Sequence, residues 1–373
     1  MVYDFIVIGA GMAGASAAYE LAVESKVLLL EAESQPGYHS TGRSAALFTR
    51  NYGTALVRRI NALSEPFFKA PPDGFTDQPF LSPRGALAVA PPGQEALLDP
   101  VLAASTSRDP VIELPVSEAL ARAPFLRPDR VARAVYEADV NDINVAAMLL
   151  SYIKGFKNRG GAIEASALVT KLHSTGAGWQ VTAGARTFTG KTIINAAGAW
   201  AEQIGAMAGA APIGLVAKRR TVIIIDAIAG MDVARFPCVD FAASDAYIKP
   251  EAGKFMASPG DATPTDPQDV QPDEMDVAVL ADWIMRETLI PVRRIEHSWA
   301  GLRTFASDEN PVVGHDPELA NFVWHSGQGG YGIMMAPALA KAVAALCFDT
   351  QLPADFLACG ISIADLGPAR LCV

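Results

Sequence analysis

Residues 2–14 read Val2-Tyr-Asp-Phe-Ile-Val-Ile-Gly9-Ala-Gly11-Met-Ala-Gly14, and residues 26–31 read Lys26-Val-Leu-Leu-Leu-Glu31. A short apolar run ends in G-x-G-x-x-G. A helix of small residues follows, then a second apolar run ending in an acid. This order describes the first βαβ unit of a dinucleotide-binding domain. Gly9 permits the tight turn out of the strand. Gly11, without a side chain, lets a pyrophosphate approach the backbone. Gly14 lets the helix pack closely on the sheet. The helix N-terminus then offers free N–H groups and a partial positive charge to phosphates. Glu31 closes the second strand, where an acid holds a ribose hydroxyl pair and repels a 2′-phosphate. A glycine-rich turn in an ordinary α/β domain needs none of the flanking features. The motif does not distinguish FAD from NAD.

Working outward, 373 residues are too many for one simple core and suit two domains. Half the residues are hydrophobic, enough to bury a large core. Lysine and arginine number 30 against 40 acids, a net charge of −10, which argues against nucleic acid as a partner. Cys238, Cys347, Cys359 and Cys372 are scattered and form no CxxC, so neither a metal site nor a disulfide framework is expected. The N-terminus lacks the basic start of a signal peptide, and no stretch is apolar enough to span a membrane. A cytoplasmic location is expected, with peripheral contact with a membrane electron acceptor left open.

Along the chain, residues 35–52 form a Gly/Ser/Thr-rich loop and residues 66–100 are Pro-rich. A helix follows Ala138, with Met148, Leu149, Ile153 and Phe156 on one face. Alternating runs at 167–172 and 179–182 predict a β-meander. Residues 191–200 predict a buried strand ending in small residues. Residues 220–225 and 246–249 predict strands of a second, mostly antiparallel region. An amphipathic helix is expected over 277–289, and a long Ala-rich helix over 334–348, after a glycine loop.

Three further blocks accompany the N-terminal unit: Ser40-Thr-Gly-Arg-Ser-Ala-Ala46, Asn195-Ala-Ala-Gly-Ala-Trp200 and Ser326-Gly-Gln-Gly-Gly-Tyr-Gly-Ile333. An NAD-dependent dehydrogenase needs only the first unit. An extended FAD, with its ring far from its adenine, needs distant segments. With KRR at 218–220, YIKP at 247–250 and WAGLRTF at 299–305, the chain resembles the D-amino acid oxidase/dehydrogenase family of FAD-dependent oxidoreductases. That family includes glycine and sarcosine oxidases, and the likeness is greatest to bacterial D-arginine dehydrogenase-like enzymes.

The resemblance implies an α/β fold: a glutathione-reductase-type FAD-binding Rossmann domain and an α+β substrate domain with a mostly antiparallel sheet. Segments 1–80, 141–212 and 299–373 would form the former, and 81–140 and 213–298 the latter. It implies non-covalent FAD held by Gly9, Gly11, Met12, Ala13, Gly14 and Glu31, then Thr41, Arg43, Ser44, Ala45 and Ala46. Leu168 would lie near the adenine, Ala197 and Gly198 against the cofactor, and Gly329, Gly330, Tyr331, Gly332 and Ile333 at the flavin edge. A helix starting after Gly332 would aim its positive end at reduced flavin.

The implied activity is oxidation of the C–N bond of a small amino acid, D- or glycine-type, by hydride transfer to flavin. The imine hydrolyses to a keto acid or glyoxylate, and oxygen or a quinone takes the electrons. Arg220, Arg303, Tyr52 and Tyr247 fall on motif positions that would bind the substrate carboxylate, which suits the bidentate arginine fork. No nucleophile or metal is required. Leu47 and Ala86 stand where the D-arginine pattern has a histidine and a glutamate, and Met334 where it has a glutamine. Losing that acid leaves a guanidinium without a partner. Two pockets fit: an apolar one lined by Leu47, Ala86 and Met334, or one using Arg219, Arg220 and Lys249 to seat a second carboxylate, as in iminodiacetate, or another N-substituted glycine such as sarcosine. A 2-hydroxy acid dehydrogenase and a non-catalytic flavin subunit are further alternatives.

Overall fold

The structure, a computed structural model, describes residues 1–372. Strand Val2–Ile8 forms as expected and lies between Val27–Leu30 and Arg186–Asn195, parallel to both. Ala162–Glu164 extends the parallel array on one side and Phe322–Ser326 on the other, with Val312–His315 antiparallel at the edge. The expected meander, Val169–Ser174 and Trp179–Ala183, pairs with the first half of Arg186–Asn195. Ile6, Val7, Leu28 and Leu29 are fully buried, so these strands read as unbroken apolar runs rather than alternations. Helices Met12–Leu21, Val145–Asn158 and Gly332–Cys347 cover one face through Val7 and Leu29; the meander and helix Ala201–Ala208 cover the other through Ile6 and Leu28.

Helix Met12–Leu21 reaches this sheet almost backbone to backbone. Gly9 has φ +100°, and a Cβ there would come within 2.5 Å of the Ala196 carbonyl. A Cβ on Gly14 would overlap the Gly9 carbonyl itself.

A nine-stranded sheet makes the second region. It is antiparallel throughout except where Cys238–Phe241 runs parallel to Ala86–Ala90. Strand Ile295–Phe305 belongs to it along its whole length, so the sheet extends past residue 299. The period of two sorts its side chains. Leu87, Val239, Ile248, Ala257 and Ile223 point into a core closed by helix Glu274–Glu287, through Leu280 and Ile284. Ala86, Asp240, Tyr247, Ser258 and Arg220 therefore occupy the opposite face, which looks toward the first domain. A three-stranded sheet, Leu47–Phe48, Asn141–Ile143 and Leu81–Pro83, bridges the two regions. No helix among the described residues is long and apolar enough to cross a membrane.

Gly14→Ala is expected to force the helix off the sheet and cost about 1–3 kcal/mol or more. A melting temperature equal to wild type would show that the approach is looser than described.

Candidate active site

One continuous cleft of about 950 Å³ runs between the two regions. At one end its wall is the glycine turn. Helix Met12–Leu21 has glycine, which offers no side-chain cap, at its N-cap and no acid in its first turn, so its positive end faces the cleft. Thr41 Oγ1 accepts the Met12 N–H at 3.0 Å, and a Cβ on Gly11 would fill the space before that hydroxyl. Glu31 is 8% exposed; one oxygen accepts the Ala10 N–H at 2.8 Å and the other the Glu33 N–H at 3.0 Å. The acid thus braces the turn as well as facing the cleft. The chemistry of this end fits a phosphate and a ribose.

Ser44, Ala45, Ala46, Leu168, Ala197, Gly198, Gly329, Gly330, Gly332 and Ile333 line the same cleft. Gly14 stands behind the turn, and Tyr331 lines an adjoining cavity of about 170 Å³ with Tyr52. Arg43 also lines the cleft, but its guanidinium is committed: Nη1 donates to the Val270 and Ala300 carbonyls, both at 3.1 Å, and Nη2 pairs with Asp269. Ser40 donates to the Leu302 carbonyl at 2.6 Å, and Trp299 Nε1 to the Arg43 carbonyl at 3.0 Å. These bonds stitch the loop at 40–46 to strand Ile295–Phe305, so two motifs far apart in the chain form one wall. Helix Gly332–Cys347 begins at the glycine loop, again without an acid or side-chain cap.

At the other end, Arg220, Tyr247 and Arg303 share the sheet face described above, with Lys218 registered against Arg303 and Arg220 against Gly301. Both arginines border the cleft and the smaller cavity, and Tyr52 closes the corner, its ring 5.1 Å from that of Tyr331. The Arg303 guanidinium lies against Gly330, where a Cβ would come within 3.1 Å of Nη1. Burial, and then the charge of Arg303, lowers the Arg220 pKa. Asp261, beside them, spends its oxygens on the Thr221 N–H at 2.7 Å and hydroxyl at 2.9 Å. Two cations drawn together this way form an anion site. Burial raises Tyr247 and pushes Tyr331 up to about 12, so both phenols stay protonated donors.

Two expectations need correction. Arg219 and Lys249 do not join this pole. Arg219 lies on the opposite sheet face and pairs with Asp276 at 2.6 Å, whereas Lys249 is held by Asp142 at 2.9 Å and Glu251 at 3.1 Å. Nor does the cleft lack acids near Ala86 and Leu47. Glu137 registers against Ala86 and accepts from Thr49 Oγ1 at 3.0 Å, and Asp240 registers against Ala88 and Tyr247; both line the cleft. Sequence reasoning missed both. The one available signal was an acid inside the apolar strand Cys238–Phe241. His325 was also passed over: it is fully buried beside the cleft, and burial lowers it to about 4, so it is neutral.

The chain is similar to known flavoproteins. Glycine oxidase of Geobacillus kaustophilus is 24% identical over 246 residues, 64% of this chain and 62% of the relative. FAD-dependent oxidoreductase domain-containing protein 1 of Xenopus laevis is 27% identical over 175 residues, 42% of this chain and 34% of the relative. The chain thus matches less than two thirds of the length of these relatives. In fold, it is similar to L-proline dehydrogenase from P. horikoshii, with a TM-score of 0.83 and 21% identity, covering 98% of this chain and 97% of that one. It is also similar to iminodiacetate oxidase from Chelativorans sp. BNC1, with a TM-score of 0.76 and 21% identity, covering 93% and 96%. The family model described as FAD dependent oxidoreductase matches residues 4–346, and the protein is therefore a member of that FAD-dependent family of oxidoreductases.

Proposed function

We propose that this enzyme oxidises the C–N bond of a small amino acid to an imine, which water hydrolyses to a keto acid, or to glyoxylate from a glycine-type substrate. The observation that carries the reading is the arginine couple, Arg220 and Arg303, which makes no ion pair among the described residues and lies beside the glycine loop at 329–332. Segments 1–80 and 141–212 and the chain after Phe305 would hold FAD non-covalently, and 81–140 and 213–305 the substrate. FAD, when bound, supplies the acceptor for the hydride that leaves the substrate α-carbon. Arg220 and Arg303 clamp the substrate carboxylate, and Tyr52 and Tyr247 donate hydroxyls to it. This fixes the α-carbon relative to the ring, and orientation of that kind accounts for much of the rate in such reactions. The amine proton is lost to solvent, so no dedicated base is needed. The electrons pass on to oxygen or a quinone.

A second carboxylate has less support than an amino acid side chain, because Arg219 and Lys249 are tied to other acids. Anaerobic bleaching of the flavin by a panel of D-amino acids, glycine, sarcosine, iminodiacetate and 2-hydroxyglutarate tests the reading. Reduction by the hydroxy acid alone would refute it.

Arg303→Ala is expected to keep FAD, raise KM and lower kcat/KM by about 2–5 kcal/mol, the usual cost of stripping one partner from a buried charge pair. Steady-state kinetics unchanged from wild type would remove Arg303 from the clamp. Glu31→Ala is expected to lose two charge-assisted bonds, one from the turn at Ala10 and one from the Glu33 N–H, each worth about 1.5–3 kcal/mol, and to shed FAD on dialysis. A variant that stays fully yellow would deny Glu31 a cofactor role.

A further inference from the structure

Residues 258–276 carry six acids and no lysine or arginine, so the segment meets the rest of the protein as an anion. Both of its ends are fixed to the antiparallel sheet. Asp261 accepts the Thr221 N–H and hydroxyl, and Thr263–Pro264 pairs with Lys218–Arg219. Asp273 caps helix Glu274–Glu287, whose Asp276 holds Arg219. The apex, 266–272, crosses to the first domain, with Pro267 and Pro272 restricting its backbone on either side. There Asp269 receives Nη2 of Arg43 on one oxygen and the Tyr38 hydroxyl, at 3.2 Å, on the other. The Val270 carbonyl accepts Nη1 of Arg43 at 3.1 Å. The Val270 side chain sinks among Ala199, Ala217, Ala300 and Leu302, with Trp200 packed against them.

The apex thus grips three separate blocks of the chain: 40–46 through Arg43, 195–200 through Ala199 and Trp200, and 299–305 through Ala300 and Leu302. Tyr38, Arg43, Ala199, Trp200 and Leu302 line the cleft, so the apex holds the outer side of a wall whose inner side faces the cofactor. Of residues 266–272 only Val270 is buried, so the grip is mainly polar. The Asp269 side chain is half-exposed, and salt can reach its pair with Arg43. We propose that residues 260–273 are a strap that retains FAD, and that Asp269 is its latch, a positioning residue that keeps Tyr38, Arg43 and the loop at 40–46 closed against the cofactor. This rests on FAD lying along that loop.

The test is the rate at which FAD-loaded protein releases its cofactor on dilution, read as free-flavin fluorescence. Asp269→Asn keeps the shape and removes the charge. It is expected to release FAD about threefold faster or more at low salt, the scale of one partly exposed ion pair. Raising the salt should speed release from wild type more than from the variant, because only the wild type has that pair to screen. Asp269→Glu should recover part of the retention. Release from Asp269→Asn at the wild-type rate overturns the proposal, as does slower release, since a freed Arg43 would then serve FAD directly. Equal salt dependence in the two proteins also overturns it, because the effect would then come from the cofactor's own phosphates. Should Asp269→Asn not fold, Tyr38→Phe releasing FAD at the wild-type rate overturns it instead. If Glu31→Ala sheds FAD and Asp269→Asn does not, the strap alone fails. If both retain it, the placement of the cofactor fails with the strap.

Discussion

The near-contact of backbones at Gly9, Gly14 and Ala196 sets the geometry on which the rest of the molecule depends. No side chain separates helix Met12–Leu21 from the sheet at that point. The helix N-terminus is consequently held at a fixed height above the strand ends, and Glu31 is drawn under the turn to accept the Ala10 N–H. A looser approach would move the positive end of the helix relative to Thr41, and the loop at 40–46 would lose its seat. That loop in turn is bonded to strand Ile295–Phe305, so the packing of one helix is transmitted to the strand bearing Arg303.

The cleft is polarised along its length. At the end away from the glycine turn the charged side chains arise from alternation in a single sheet, which presents Arg220, Arg303, Asp240 and Glu137 to one side and a sealed aliphatic core to the other. Arg219, on the opposite face, is neutralised by Asp276, and Lys249, on the same face as Tyr247, by Asp142 of the bridging sheet and by Glu251. Among the described residues Arg220 and Arg303 make no ion pair, and these are the cleft cations available to a ligand.

Much of this was legible before any coordinates. The glycine spacing, the buried double-faced strands and the Ala-rich final helix follow from local rules, and each was found where expected. The arginines could be picked out because they sit inside recognisable blocks. Glu137 and Asp240 could not, because their placement comes from long-range pairings with Ala86–Ala90, antiparallel for Arg133–Glu137 and parallel for Cys238–Phe241, which no local periodicity announces. The same limit applies to Arg219 and Arg220. They are neighbours in sequence, but a strand sends them to opposite faces, and only the register tells which one faces the cleft.

That lone parallel pairing also bears on how the chain comes together. Each sheet takes strands from early and late in the chain: the first needs Phe322–Ser326, and the second needs both Ala86–Ala90 and Ile295–Phe305. Neither can be completed before Ile295–Phe305 and Phe322–Ser326 have been made. Contacts of such long range are slow to form. A chain truncated before residue 300 would therefore lack a finished version of either sheet.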